Sequence, residues 1–167
     1  MLNEVYLMSS LPALSFGQAP PISLEEFRDM AKSELSARSF EALEHMNMRG
    51  MDSQGRKAKL KSVNMMLEAL LKDVSEIRNS RVENRQAIPG ILPGSVLEAN
   101  PLDREKQIMQ WQWETLDSIV AGETFTLSEV IVYKLKLQLL FRMHSFSKER
   151  GNRMLDSLVN LTAKKED

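Results

Sequence analysis

Cysteine is absent from the sequence, and with it go disulfides, zinc ribbons, iron–sulfur clusters and thiol nucleophiles. That usage is compatible with a reducing cytoplasm. Histidine is scarce: His45 and His144 are the two in the chain, far apart and without an HExxH motif. They read as surface or boundary residues, not metal ligands. An excess of one charge is missing as well. A formal net charge of -1 excludes a general nucleic-acid binder, which needs clustered Lys and Arg to displace counterions. No apolar run reaches the roughly 18–20 residues of a membrane helix. The most apolar stretch, Val130 to Phe141, is interrupted by Lys134, Lys136 and Gln138. Met1 to Ser15 carries no basic residue ahead of its apolar block and does not read as a secretory signal.

Catalytic motifs are missing in the same way. The pairs Pro89-Gly90 and Pro93-Gly94 lack the lysine and serine of a nucleotide loop, and neither a dinucleotide fingerprint nor a G-x-S-x-G elbow occurs. Acids such as Glu25, Glu26 and Asp29 stand at a helix start, where the helix dipole favours them without any catalytic role. The expectation is therefore a non-enzyme with no cofactor and no metal. An enzyme with chemistry hidden by the fold would instead show a deep pocket with convergent polar groups.

What is present is the composition of a globular protein: 43% hydrophobic and 27% charged residues over 167 positions. The pattern predicts an all-α fold, a helical bundle with a long antiparallel helical hairpin, forming one helical domain over residues 1–167. Residues 1–22 read as an extended N-terminal segment. Within it Val5–Met8 is too short to assign to strand or helical turn, and Pro20-Pro21 excludes helix at its end. Ser23-Leu24-Glu25-Glu26 is a capping box. The helix behind it is expected to bury Leu24, Phe27, Met30 or Ala31, and Leu35. A short helix follows from Ser36, with Phe40, Leu43 and Met46 on one face. Gly50 and Gly55 mark a break.

Leu60, Val63, Leu67, Leu70, Val74 and Ile77 recur at alternating spacings of three and four, a heptad seam within a helix expected from about 54 to 84. It suits an arm of a hairpin within this chain better than an intermolecular coil. Residues 85–99 form a Pro/Gly loop that reverses the chain, and its Pro-Gly pairs favour type II turns. Asn100-Pro101 then opens a helix with Met109, Trp113, Leu116 and Val120 on one stripe, the expected mate of the seam. Gly122 ends it. Thr126-Leu127-Ser128-Glu129 is a second capping box, ahead of a helix running to about His144. There Tyr133, Leu135, Leu137 and Leu139 alternate with polar residues in strand period, but the length of the apolar run favours helix. A last helix after Ser147 would align Met154, Leu155, Leu158 and Leu161, with Ala163 to Asp167 fraying. The densest basic patch, Arg49 to Lys61, reads first as a solvated helix start and second as a contact for an acidic protein surface or phosphate.

Trp111 and Trp113 lie two apart and point in different directions on a helix. Trp113 belongs to the core stripe. Trp111 stands off it, either as a partner contact or under the Pro-Gly loop. With Tyr6 and Phe16 of the N-terminal string, Trp111 makes up the expected partner surface.

Tyr6-Leu7-Met8-Ser9-Ser10-Leu11-Pro12, Leu14-Ser15-Phe16-Gly17 and Pro20-Pro21-Ile22-Ser23 resemble the opening of an uncharacterised bacterial helical family. Asn100 to Glu105, Trp113, Leu116-Asp117 and Tyr133 to Leu137 resemble its later hallmarks. Genes of that family typically stand in operons for V/A-type rotary ATP synthases, where its members look like counterparts of the central-stalk subunit called C or d. The resemblance implies a non-catalytic interaction subunit whose partners are stalk or ring subunits. It also implies a cytoplasmic location, peripheral to the inner membrane through the complex. The alternative is a stand-alone helical adaptor or assembly factor.

Overall fold

In a computed structural model of the chain, described here over residues 2–48, 50–51 and 58–146, the protein is all-α. In chain order the helices are α1 (Leu2–Ser10), α2 (Leu24–Glu34), α3 (Ala37–Glu44), α4 (Ala58–Val82), the single turn α5 (Ser95–Glu98), α6 (Pro101–Ile119) and α7 (Leu127–Ser145). A two-residue antiparallel ladder, β1 (Met46–Asn47) with β2 (Gly50–Met51), joins α3 to the segment before α4. Most of the basic patch, the Gly55 break, the Leu60 side chain and the expected last helix beyond Ser147 lie outside the described residues.

Local chemistry sets the helix starts. Ser23 and Glu26 form a complete capping box: the Glu26 N–H donates to Ser23 Oγ at 3.0 Å and the Ser23 N–H to Glu26 Oε2 at 2.8 Å. Ser36 caps α3, and Asn100 caps α6 with Pro101 in its first turn. The box at Thr126 closes differently. Thr126 Oγ1 accepts from the Glu129 N–H, but the Glu129 carboxylate takes the N–H of Phe125, at 2.7 Å. Phe125 has φ 57°, and this carboxylate helps hold that left-handed backbone.

The N-terminal segment departs from the expected extended chain over its first part. Leu2–Ser10 is helical because Leu7 is driven fully into the core while Val5 and Tyr6 stay outside, a one-sided burial that a turn-by-turn helix provides. Residues 11–22 are irregular. Leu24, expected inside, is 37% exposed; α2 buries Phe27 and Ala31 instead.

The core is built around α7. Val130, Ile131, Val132, Tyr133, Leu135, Leu137, Leu139 and Leu140 are all buried, because α1, α2, α3, β1 and α6 pack around this helix. A helix covered on most sides needs no 3.6-residue stripe, which is why its sequence imitates a strand. The polar residues that interrupt it are each satisfied. Lys134 Nζ donates to the Leu43 carbonyl at 2.6 Å, at the C-terminal end of α3, where a cation is favoured. Burial lowers its pKa. Lys136 pairs with Asp117 and lies 4.4 Å from the Trp113 ring centroid. Gln138 Oε1 accepts from the Met48 N–H.

A smaller cluster of Leu70, Ile77, Leu92, Val96 and Ile108 joins α4, the loop after it, and α6. Of the other seam residues, Val63 and Leu67 belong to the main core with Met109, Trp113 and Leu116, and Val74 is only half-buried, against the smaller cluster.

Candidate interaction surface

The three residues expected to meet a partner sit in three different environments. Tyr6, on the outer face of α1, is 67% exposed. Phe16 is half-buried and packs edge-on against Trp113, with ring centroids 5.5 Å apart. Trp111 is half-buried and touches both hydrophobic clusters. The string around Phe16 is also held from α7: Tyr133 OH donates to the Pro12 carbonyl at 2.8 Å, and burial pushes the Tyr133 pKa up to about 12. Among these three residues, only Tyr6 presents most of its ring to solvent. Gly17, with φ +86°, turns the string in a conformation that favours glycine.

The loop between α4 and α6 is fastened by carboxylates of α4. Asp73 is 6% exposed and accepts three consecutive backbone N–H groups, from Gly90, Ile91 and Leu92, at 2.8, 2.8 and 2.9 Å. Burial raises its pKa, but the three donors outweigh burial and hold it below the ordinary carboxylate value. One turn on, Glu76 receives both terminal nitrogens of Arg85 and lies 3.3 Å from the Ile88 N–H. Those bonds bring its pKa to about 2. The expected type II turns do not form. Gly94 has φ -58°, and Gly90 shows no left-handed φ. The Asp73 carboxylate, gathering three amides in a row, dictates the backbone there in place of turn propensity. The loop also contains α5, whose carbonyls are held by Arg104: Nε donates to Val96 O at 2.7 Å and Nη2 to Ala99 O at 2.9 Å.

Asp73 was legible in principle. It stands three residues after Leu70 and four before Ile77, on the same helical face as the seam. An acid at such a position must find donors when the seam is buried.

Between α4 and α6 the surface opens into a hollow of about 380 Å³. Its floor includes Leu70, Val74, Ile77 and Ile108, and among the described residues its rim carries Arg78, Arg81, Arg104 and Arg142 against one acid, Glu105. Glu105 is paired with Arg142. A second hollow of about 550 Å³ lies beyond Arg81, under the loop and α5.

This arrangement is suited to binding by shape and charge. The carboxyls with displaced pKa among the described residues, Glu4, Glu26, Asp73 and Glu76, are all displaced downward, the direction opposite to that of a proton-donating acid at neutral pH. Among the described residues no group of three or more His, Asp or Glu side chains could hold a metal ion. His45 caps the end of α3 and His144 is exposed in the last turn of α7. No helix among the described residues is long and apolar enough to cross a membrane.

Residues 91–166 match a family model described as "Protein of unknown function (DUF2764)". The matched stretch takes in α5, α6 and α7. No curated protein and no solved structure matches the chain.

Proposed function

We propose that this chain is a non-catalytic helical interaction subunit that associates with a bacterial V/A-type rotary ATPase and acts there by packing helices, as the central-stalk subunit does. The observation that carries the interaction reading is the hollow between α4 and α6, with apolar side chains on its floor and arginines on its rim. Such a surface binds a macromolecular partner by burying apolar area inside a charged margin. The link to a rotary ATPase rests on the sequence resemblance at Tyr6–Ser23, Asn100–Glu105 and Tyr133–Leu137. In this reading α4 and α6 are the arms of an antiparallel hairpin. The first half of the seam shares a cluster with Trp113 and Leu116, and the second half shares one with Ile108. The working place is the cytoplasm, against the membrane complex.

The test is affinity capture of the tagged full chain from its native host, followed by mass spectrometry of what is retained. Stalk or ring subunits at stoichiometric levels are the expected result. Capture that yields no ATPase subunit removes the rotary-ATPase reading and leaves a stand-alone adaptor.

A further inference from the structure

We propose that the hollow between α4 and α6 is the docking site for an acidic amphipathic helix of a partner protein, whose apolar stripe meets the Leu71–Val74 face while its carboxylates meet Arg78, Arg81 and Arg104. The inference rests on the interaction reading above and adds the chemistry of the partner.

The first support is the pattern along α4. Leu71, Val74, Arg78 and Arg81 follow one another at spacings of three, four and three, so they form a stripe along the edge of the seam, sharing Val74 with it. Its start is apolar: Leu71 is 60% exposed and Val74 half-buried. Its end is cationic. Across the hollow, Pro101, Arg104, Ile108 and Gln112 form the facing stripe of α6. Two stripes flanking an apolar floor receive a third helix through anchors three and four residues apart. The hollow extends over the three turns from Leu70 to Arg81, roughly 16 Å of helix.

The second support is the charge. Glu105, the one acid of the rim among the described residues, is neutralised by Arg142. Arg78 and Arg81 have no carboxylate partner among the described residues. Arg104 gives Nε and Nη2 to carbonyls and keeps its charge. Burial, and after it the charge of Arg81, lower the Arg104 pKa. Helix dipoles do not account for this gathering. Arg81 in the last turn of α4 is well placed, but Arg104 stands near the start of α6, where the dipole disfavours a cation. Carboxylates brought by a partner would relieve the repulsion. Nucleic acid fits less well, because aliphatic side chains form the floor and, among the described residues, no aromatic ring lines the hollow for bases to stack on.

The experiment uses the full chain and two designed helical peptides. One carries a leucine stripe flanked by glutamates; its twin has lysines in place of the glutamates. Fluorescence anisotropy at low and high salt gives the affinities. The glutamate peptide is expected to bind at least about tenfold more tightly than its twin, with the difference shrinking as salt rises. In the variant Arg78→Glu with Arg81→Glu the preference should invert, a result that unfolding would not produce. Leu71→Ala should weaken the glutamate peptide while circular dichroism stays unchanged. Equal binding of the twins, no binding, or an unaltered preference in the double variant overturns the proposal. So does occupation by the chain itself. In this cysteine-free protein, a Leu71→Cys with Leu158→Cys variant that oxidises within one chain, or between two copies, would assign the hollow to residues 147–167 or to a dimer. If peptides fail while ATPase subunits are still captured, this inference falls alone. If the glutamate peptide binds as expected and no ATPase subunit is captured, only the ATPase assignment falls.

Discussion

Asp73 carries an unusual share of this structure for one side chain. A buried carboxylate is costly unless it is ionised against donors that stay in place, and three successive amides meet that condition. Asparagine would present an NH2 to amides that need an acceptor. Asp73→Asn is therefore expected to lose about 1.5–3 kcal/mol in urea unfolding at neutral pH. The pH dependence follows from the depressed pKa. The unfolded chain holds the proton more tightly, so the stabilisation is fully present above the ordinary aspartate pKa of 3.8. It is lost as pH falls through the lower folded value. Unfolding free energies of wild type and Asp73→Asn should thus draw together as pH falls below 3.8 and meet only below the depressed folded value; a gap that does not narrow in acid would refute the ionised contact.

At the scale of the element, α4 and α7 show opposite relations between pattern and burial. The narrow seam of α4 is one-sided, and its Val63, Leu67, Leu70 and Ile77 are buried where the spacing puts them. In α7 nearly every apolar residue is buried, and the lysines survive inside because α3, α6 and Trp113 supply partners. Leu139, 2% exposed, should cost about 2–5 kcal/mol when replaced by alanine. Leu71, on the outer stripe of α4, should cost no more than about 0.5 kcal/mol. Thermal denaturation of the two variants checks the contrast, and a large loss at Leu71 would mean that the outer stripe is covered in the isolated protein. Lys134→Met is a further test of α7: it removes the donor to the Leu43 carbonyl and is expected to destabilise by about 1–3 kcal/mol.

Across the whole molecule, two hydrophobic clusters meet at Trp111. The larger holds α7 and its neighbours; the smaller joins α4, the 85–99 loop and α6. A single large ring in contact with both is a means of making them unfold together. Trp111→Ala is expected to lower stability by about 3 kcal/mol and to reduce the denaturant slope, as the smaller cluster opens before the larger. Urea titrations followed by circular dichroism and by Trp113 fluorescence should then cease to coincide. Coincident curves with an unchanged slope would show that Trp111 does not couple the clusters. Tyr6→Ala should leave both curves in place, because that ring is mostly in solvent.

Helix content, the caps at Ser23, Ser36 and Asn100, and the buried seam of α4 were legible in the sequence, since each depends on residues within one or two turns. The absence of cysteine and the spacing of the two histidines were equally plain. Tertiary structure decided what depends on distant neighbours. It made Leu2–Ser10 a helix by giving Leu7 a core to enter. It set the Pro-Gly loop by the carboxylate of Asp73, seventeen residues before Gly90. It placed Phe16 on Trp113 and Trp111 between two clusters, leaving Tyr6 alone in the open. The arginine-rimmed hollow belongs to the same class, because Arg78, Arg104 and Arg142 come from three helices and meet only when those helices pack. Periodicity reports which face of a helix is buried; it carries no record of which other element covers that face.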